Sequence, residues 1–224
     1  MRIAFLGDSI TEGCFELYDN HMGSISNVKD ALSGYPTLLT NRLKELFPEK
    51  EIETVNAGIA GNSSGDALAR IRDDVIDKKP DIAVVCLGLN DVGQRDLEKY
   101  KSNLGEIFKA LKNADIKVVF MTPNMVNTYV HHLNLDILQK TAKSCAECQN
   151  DGTMDTFMDA ARECARENGV AVCDVYAIWK KMQSYGVNTT ELLSNHINHP
   201  IRPMHRLFAD ALEPYLVTLI KEKQ

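Results

Sequence analysis

The sequence predicts an α/β protein built on a parallel sheet. Short runs rich in β-branched residues alternate with segments whose apolar residues recur at helical spacing. Two of the runs, 82–87 and 118–121, are continuously apolar, which is typical of strands covered by helices on both faces. Repeated strand–helix units of this kind form parallel sheets through right-handed crossovers. No repeat, low-complexity stretch or linker divides the chain, so we expect residues 1–224 to form a single domain.

The predicted elements alternate along the whole chain. Strands are expected at 3–7, 52–56, 82–87, 118–121 and 170–174. Apolar stripes at i, i+3 and i+4 predict helices over 35–47, 64–75, 97–111 and 154–165, and a last helix from residue 203 onward. Ser63 or Ser64 is expected to cap the second helix. Pro214 should kink or interrupt the last one.

Two connections are longer than a crossover needs. They cover residues 14–34, after the first strand, and 124–151, after the fourth. Both leave the carboxyl end of a strand, where α/β proteins handle ligands. Loops of that length usually shape a pocket. We expect the second to contain a short helix near 135–148 and both to border the ligand site.

The overall composition argues against several classes of function. Hydrophobic residues make up 44% of the chain and charged residues 25%, as in globular proteins with a sizeable core. A net charge of −6 without a basic run argues against binding to nucleic acid or to an anionic membrane. No apolar stretch approaches the ~20 residues of a membrane span, and Met1-Arg2 leads directly into the first strand without a signal peptide. We therefore expect a cytoplasmic protein.

The six cysteines fit a reducing compartment. Cys86 and Cys173 fall inside apolar strands, where a thiol acts as a small hydrophobic group. Cys145 and Cys148 form a C-x-x-C pair, but a four-ligand zinc site needs a second close pair that the sequence lacks. We expect neither a metal nor a cofactor.

Four groups of polar and glycine residues fall where the predicted strands end or close to the end of the chain. They are Gly7-Asp8-Ser9-Ile10-Thr11, Asn56-Ala57-Gly58-Ile59-Ala60-Gly61, Gly88-Leu89-Asn90-Asp91 and His196-Ile197-Asn198-His199-Pro200. Loops after parallel strands share one edge, so we expect these groups to meet. A serine becomes a nucleophile when a histidine takes its proton. Backbone N–H groups and an Asn amide are suited to stabilising the resulting oxyanion. The pattern indicates nucleophilic acyl transfer.

In their order and spacing, these groups resemble the sequence blocks of SGNH hydrolases, the GDSL-type esterase and acylhydrolase superfamily. The resemblance implies a flavodoxin-like, three-layer α/β/α sandwich around a five-stranded parallel sheet. It also implies Ser9 as nucleophile, His199 as base, and an oxyanion hole formed by Ser9, Gly61 and Asn90. Asp8 is expected to hold the turn around the serine.

One position departs from the pattern of this superfamily. The last block usually reads Asp-x-x-His-Pro, and His196 occupies the Asp position here. Three explanations stay open: a backbone carbonyl orients His199, another acid (Asp174, Glu191 or Asp8) replaces the missing one, or the chain is a ligand-binding relative with little or no activity. A neutral His196 could also accept a hydrogen bond from His199.

The expected partner is a small-molecule ester. Acetyl esters such as acetylated carbohydrates are the leading substrate class, with lysophospholipids or acyl thioesters as alternatives; the sequence leaves a homo-oligomer open. His131 and His132 in the second long connection, and Arg202 and His205 at the start of the last helix, could contact substrate, although solvated or structural roles fit them too.

Overall fold

A parallel five-stranded sheet lies at the centre of the described part of the chain, residues 1–20 and 24–222 of a computed structural model. The strands are β1 (Arg2–Gly7), β2 (Cys14–Asp19), β3 (Ile25–Lys29), β4 (Glu53–Gly58), β5 (Ile82–Cys86), β6 (Lys117–Met121) and β7 (Ala171–Cys173). The central sheet has the order β4-β1-β5-β6-β7, and every pair in it is parallel. The five predicted strands are confirmed, with ends displaced by one or two residues.

Helices cover both faces of this sheet. They are α1 (Ser9–Glu12), α2 (Tyr35–Leu46), α3 (Ser64–Asp74), α4 (Leu89–Gln94), α5 (Leu97–Asn113), α6 (Gln139–Asn150), α7 (Thr153–Glu167), α8 (Val175–Ser184) and α9 (Arg202–Glu222). α2 packs on α9 at one face, and α3, α5 and α7 pack side by side on the other. The runs in β5 and β6 are continuously apolar because helices cover both faces of these strands. The three-layer α/β/α prediction is confirmed.

The local signals for helix ends were only partly correct. Ser63 caps α3, and its hydroxyl and the Asp66 carboxylate form a reciprocal capping box. Pro214, however, lies inside α9 without interrupting it. Buried side chains on both sides of the proline, Leu212 and Leu216, hold the helix against the core. Tertiary packing therefore outweighs the one backbone hydrogen bond that proline removes.

The first long connection is a β-hairpin rather than the expected loop. β2 and β3 pair antiparallel, and their register is irregular between Cys14 and Leu17. Most of their residues are only partly buried, so the apolar alternation that identifies a strand is weak. Residues 21–23 of this connection lie outside the described residues. The second connection contains the predicted helix as α6, after a 3₁₀ turn at Asp136–Leu138.

A continuous apolar core extends from β1 to α9 through both helix layers. Trp179, the single tryptophan of the chain, is fully buried in this core. Among the described residues, no helix combines the length and apolar character needed to span a membrane.

Gly58 is expected to be intolerant of a side chain because it ends β4 against the backbone of α1. A Cβ there would be in hard contact with the Glu12 nitrogen and 2.6 Å from the Thr11 carbonyl carbon. Gly58→Ala should lower the free energy of unfolding in urea by about 1–3 kcal/mol. In the control Gly93→Ala, the added methyl meets no atom within 4 Å, so stability should stay the same or rise slightly. Equal stability of the two variants would contradict this packing.

Candidate active site

The loops that follow three neighbouring strands meet at the carboxyl edge of the sheet. β1 lies between β4 and β5, and the chain crosses from one side of β1 to the other at this point. Such a reversal of strand order opens a crevice in doubly wound sheets. Ser9, Gly61 and Asn90 follow β1, β4 and β5, and together with His199 they line one cavity of about 290 Å³. The structure thus brings the predicted residues together.

The centre of this cavity is a hydrogen bond between Ser9 and His199. The serine Oγ lies 3.0 Å from the histidine Nε2, although 190 residues separate the two in sequence. Both side chains are buried, each with 5% of its surface exposed. This is the contact through which an imidazole can remove the proton of a serine hydroxyl.

Asp8 caps the helix that carries the serine. Its Oδ1 accepts the N–H of Ile10 at 2.9 Å, so Asp8 is the N-cap of α1. A serine at the start of a helix commonly has that capping role. Because Asp8 occupies the cap position, the hydroxyl of Ser9 is available to His199.

The second ring nitrogen of His199 binds a backbone carbonyl. Nδ1 donates to the Phe15 oxygen at 2.8 Å, which leaves the Nε2 lone pair to accept the serine proton. Burial lowers the pKa of His199 below its usual value, and the Phe15 carbonyl together with the nearby charge of Glu16 opposes that shift. Of the three explanations for the missing acid, the structure thus supports orientation by a backbone carbonyl.

Asn195, which the sequence analysis missed, shapes the loop that carries the histidine. Its side-chain oxygen accepts the backbone N–H groups of Ile197, Asn198 and His199 at 2.9 to 3.0 Å. The Ser194 N–H donates to the His199 carbonyl at 2.7 Å. An Asn just before a turn often bonds following amides in this way, so its position was the available signal.

Ser9, Gly61 and Asn90, the residues predicted to form the oxyanion hole, line the same cavity. Within the described residues, the backbone N–H groups of Ser9 and Gly61 donate to no protein acceptor. Gly61 has φ +80, a left-handed conformation that favours glycine. One amide hydrogen of Asn90 donates to the Asn62 carbonyl at 2.9 Å, which fixes the amide and leaves its second hydrogen for a ligand. Asp91, next to Asn90, accepts the Ser64 N–H and so links α4 to the first residue of α3.

None of the carboxylates suggested as substitutes contacts His199. Asp174 caps α8 and binds Arg162 and Thr122. Glu191 accepts the Tyr129 hydroxyl and faces His131. Asp8 accepts the Ile10 N–H as the N-cap of α1. Asp174 and Glu191 are satisfied by local partners, and Asp8 uses Oδ1 to cap α1, so the substitute-acid expectation is corrected for all three.

His196, at the position where the superfamily has its acid, stacks on His131. The ring centroids are 3.9 Å apart, and the planes differ by 17°. His132 packs on the other side of His131, with centroids 4.3 Å apart. Since both nitrogens of His199 are already bonded, a hydrogen bond between His196 and His199 is absent from this structure, in which both residues are described.

Among the described residues, the donor atoms of His131, Glu191 and His196 lie within 4.8 Å of one another, close enough for a metal ion. However, Nδ1 of His131 accepts the Leu133 N–H at 3.1 Å, so its proton resides on Nε2, the atom that faces Glu191. The geometry is that of a stacked, hydrogen-bonded cluster.

The three histidines suggested for substrate contact lie outside the cavity. His131 and His132 belong to the stacked cluster, and neither lines the cavity. His205 is fully buried against Phe15, and burial lowers its pKa to about 3, so it is a neutral core residue. Its Nδ1 accepts the Tyr35 N–H. Substrate contact by His205 is therefore corrected.

The C-x-x-C pair lies on α6 as free thiols. Burial raises the pKa of Cys145 to about 11, and Cys148 is almost fully buried. A thiol of high pKa is a poor metal ligand and a poor nucleophile. The pair therefore fits the structural role expected from the sequence.

Three further segments, each with aliphatic or polar side chains, line the cavity. The hairpin contributes Leu17, Ile25 and Asn27, the α6 region contributes Leu138 and Thr141, and the histidine loop contributes Ile197 and Asn198. Aliphatic side chains and amide or hydroxyl groups thus face the same space. Both long connections border the serine, as expected.

A serine bonded to a buried histidine at the carboxyl edge of a parallel sheet, within an α/β/α sandwich, defines a serine hydrolase. Residues 5–207 match the model of the GDSL-like Lipase/Acylhydrolase family. The chain belongs to this family and is a carboxylic ester hydrolase.

Named relatives and solved structures are similar over much of the chain. An acetylxylan esterase from Geobacillus stearothermophilus is 26% identical over 192 residues, covering 81% of this chain and 78% of the relative. An arylesterase from Vibrio mimicus is 27% identical over 127 residues, covering 56% and 62%. The crystal structure of an acetyl xylan esterase, AlAXEase, superposes with a TM-score of 0.68 at 25% identity, covering 95% and 98%.

Asp8 should make the stability of this protein depend on pH. Burial, with a smaller contribution from the Asp91 charge, raises the pKa of Asp8 from 3.8 to about 7, and its Oδ2 has no partner among the described residues. Between these values the folded chain holds a proton that the unfolded chain has lost, so stability falls as pH rises from about 4 to 7. Asp8→Asn carries no charge and should remove this loss.

We expect the difference in unfolding free energy between Asp8→Asn and wild type to grow in favour of the variant by a few kcal/mol from pH 4 to pH 8, since each pKa unit corresponds to about 1.4 kcal/mol. Urea unfolding at both pH values measures it. Asp210→Asn, at an exposed position on α9, is the control. If the difference in unfolding free energy between Asp8→Asn and wild type is the same at both pH values, the pKa of Asp8 is not raised by burial and the prediction is wrong.

Proposed function

We propose that this ester hydrolase acts through an acyl-enzyme on Ser9, with His199 as general base and no carboxylate in direct contact with it. The observation that supports this most is the continuous chain of hydrogen bonds from Ser9 Oγ through His199 to the Phe15 carbonyl, at 3.0 and 2.8 Å. In this arrangement the histidine is held in the tautomer that the reaction needs.

The reaction would proceed in two halves. Nε2 of His199 takes the hydroxyl proton as Ser9 Oγ attacks the ester carbonyl, and the imidazolium then gives that proton to the leaving alcohol. Water repeats the sequence on the acyl-enzyme, so that the acid leaves and Ser9 is regenerated. The imidazolium formed in each half would be stabilised by the Phe15 carbonyl and, from a greater distance, by Glu16.

The oxyanion of each tetrahedral intermediate would lie between the N–H groups of Ser9 and Gly61 and the second amide hydrogen of Asn90. Each such donor is worth roughly 3–4 kcal/mol when it is aimed at the developing charge. The bond from Asn90 to the Asn62 carbonyl supports this role because it orients the amide before substrate arrives.

Short acyl esters of carbohydrates are the substrate class we propose. The similar proteins include acetylxylan esterases. The cavity offers aliphatic side chains for a small acyl group and also Asn27, Thr141 and Asn198, whose amides and hydroxyl can bond sugar hydroxyls. The same aliphatic walls favour, as a second candidate, hydrolysis of longer acyl esters such as lysophospholipids or thioesters.

The catalytic assignment is tested by hydrolysis of p-nitrophenyl acetate. Ser9→Ala and His199→Ala should each lower kcat/KM at least about a thousandfold, because nucleophile and base act as a unit. His196→Asn, which suits the left-handed backbone there (φ +53), should retain activity within roughly tenfold. A wild-type rate no higher than that of Ser9→Ala would indicate a non-catalytic relative. Equal losses of kcat/KM in His196→Asn and His199→Ala would indicate that His196 takes part in the proton transfer.

The substrate assignment is tested with p-nitrophenyl esters of increasing acyl length, beside acetylated xylose. The acetyl ester should give the highest kcat/KM because Leu138 and Thr141 line the cavity and are expected to limit the space for longer chains. Leu138→Ala should widen the range of accepted chains, whereas Leu133→Ala, an exposed position on the same connection and outside the cavity, should leave it unchanged. A wild-type preference for long chains would favour the acylhydrolase candidate instead.

A further inference from the structure

We propose that Arg202 is a positioning residue of this active site, because it holds the Phe15–Glu16 segment so that the Phe15 carbonyl stays aimed at His199. Arg202 would thereby do through the backbone what the carboxylate of a catalytic triad does directly. The inference rests on the proposed function, since it concerns the same histidine.

The need for such a residue follows from the hairpin. The register of β2 and β3 is interrupted between Cys14 and Leu17, so Phe15 and Glu16 have no paired partner in the β2–β3 ladder. The irregularity turns the Phe15 carbonyl out of the hairpin and toward His199, as bulges near active sites commonly do. A carbonyl outside the ladder lacks that restraint, so its direction depends on the side-chain contacts of Phe15 and Glu16: the Phe15 ring is buried against His205, and Arg202 binds Glu16.

Arg202 contacts both residues of this segment. Its Nη1 donates to one carboxylate oxygen of Glu16 at 2.6 Å and its Nη2 to the other at 3.3 Å. Its guanidinium carbon lies 4.3 Å from the centre of the Phe15 ring. The planar fork of arginine suits two-point binding of a carboxylate and stacking on an aromatic face. One side chain therefore restrains Phe15 and Glu16 at the same time.

The same arginine ties the segment to two other parts of the site. Its Nε donates to Asp30 at 3.0 Å, and the Asp30 N–H donates to the Gly13 carbonyl just before β2. Arg202 itself begins α9, shortly after His199 in the chain. The contacts thus connect the segment that supplies the carbonyl with the block that supplies the base.

These contacts should affect catalysis more than stability. Arg202, Glu16 and Asp30 retain about a third or more of their side-chain exposure (40%, 42% and 30%). Ion pairs exposed to that extent usually contribute little to folding. A small displacement of a catalytic group, by contrast, can lower a rate by two orders of magnitude.

The charge of Glu16 has a second effect, on the pKa of His199, which can be tested separately from positioning. Glu16 raises the pKa of His199, and the Arg202 hydrogen bond lowers the pKa of Glu16 so that this carboxylate remains ionised. The other ionisable groups that face the region are Asp30, bound to Arg202, and His205, which burial keeps neutral. Loss of the Glu16 charge should therefore lower the pKa of His199.

The experiment compares Arg202→Met and Arg202→Lys with Arg206→Met. Arg206 lies one turn further along α9 and forms an exposed ion pair with Asp210, so it is a matched control. With p-nitrophenyl acetate, Arg202→Met should lower kcat roughly 10- to 100-fold with KM changed less than about twofold. Arg202→Lys, which keeps the charge without the fork, should fall between Arg202→Met and wild type. Arg206→Met should match wild type. A kcat for Arg202→Met within twofold of the control overturns the proposal.

Two further measurements separate positioning from a general loss of structure. We expect a downfield proton resonance of His199 Nδ1 in wild type and in Arg206→Met, and we expect it to be lost or broadened by exchange in Arg202→Met. Glu16→Gln should move the acidic limb of the pH profile of kcat/KM to lower pH, and it provides the test if Arg202→Met does not fold. If the His199 Nδ1 resonance is unchanged in Arg202→Met, or the acidic limb of the kcat/KM profile is unchanged in Glu16→Gln, the result counts against the proposal. Inactivity of wild type relative to Ser9→Ala would refute the proposed function instead.

Discussion

The proposed active site depends on one hydrogen bond, from His199 Nδ1 to the carbonyl oxygen of Phe15. It fixes the imidazole so that Nε2 presents a lone pair to Ser9. It also joins the β2–β3 hairpin to the loop before α9, two segments far apart in the chain. Without a partner at Nδ1, a histidine that is 5% exposed would have no defined tautomer and no fixed ring orientation.

Under the proposed mechanism, the residues around this bond share the two roles that a single carboxylate has in a catalytic triad. A carboxylate beside a catalytic histidine both orients the ring and stabilises its positive charge. In this protein the Phe15 carbonyl orients the ring, and Glu16 supplies negative charge from further away. Because no carboxylate has to be buried beside the ring, the cost of desolvating one there is avoided. The acid position itself, His196, has become part of a histidine stack.

The structural polar groups explain how a buried site keeps its shape. Asp8 caps α1, Asn195 binds three successive amides of the histidine loop, and Asp91 accepts bonds from Ser64. The Asn195 bonds fix the backbone of Ile197, Asn198 and His199, which line the cavity, and Asp8 and Asp91 are the chain neighbours of Ser9 and Asn90, which line it too. The buried carboxyl of Asp8 is destabilising when charged, which is the kind of local strain that functional sites often retain.

The sequence by itself determined the sheet, most of its helices and the meeting of Ser9, Gly61, Asn90 and His199, because period and strand ends fix which loops share an edge. It also identified the missing acid at His196. Only the tertiary structure decided what replaces that acid. Every residue has a backbone carbonyl, so nothing in the sequence marks Phe15 as the residue that binds His199. Arg202, Asn195 and the burial of His205 depend equally on contacts between distant segments, which no local pattern records.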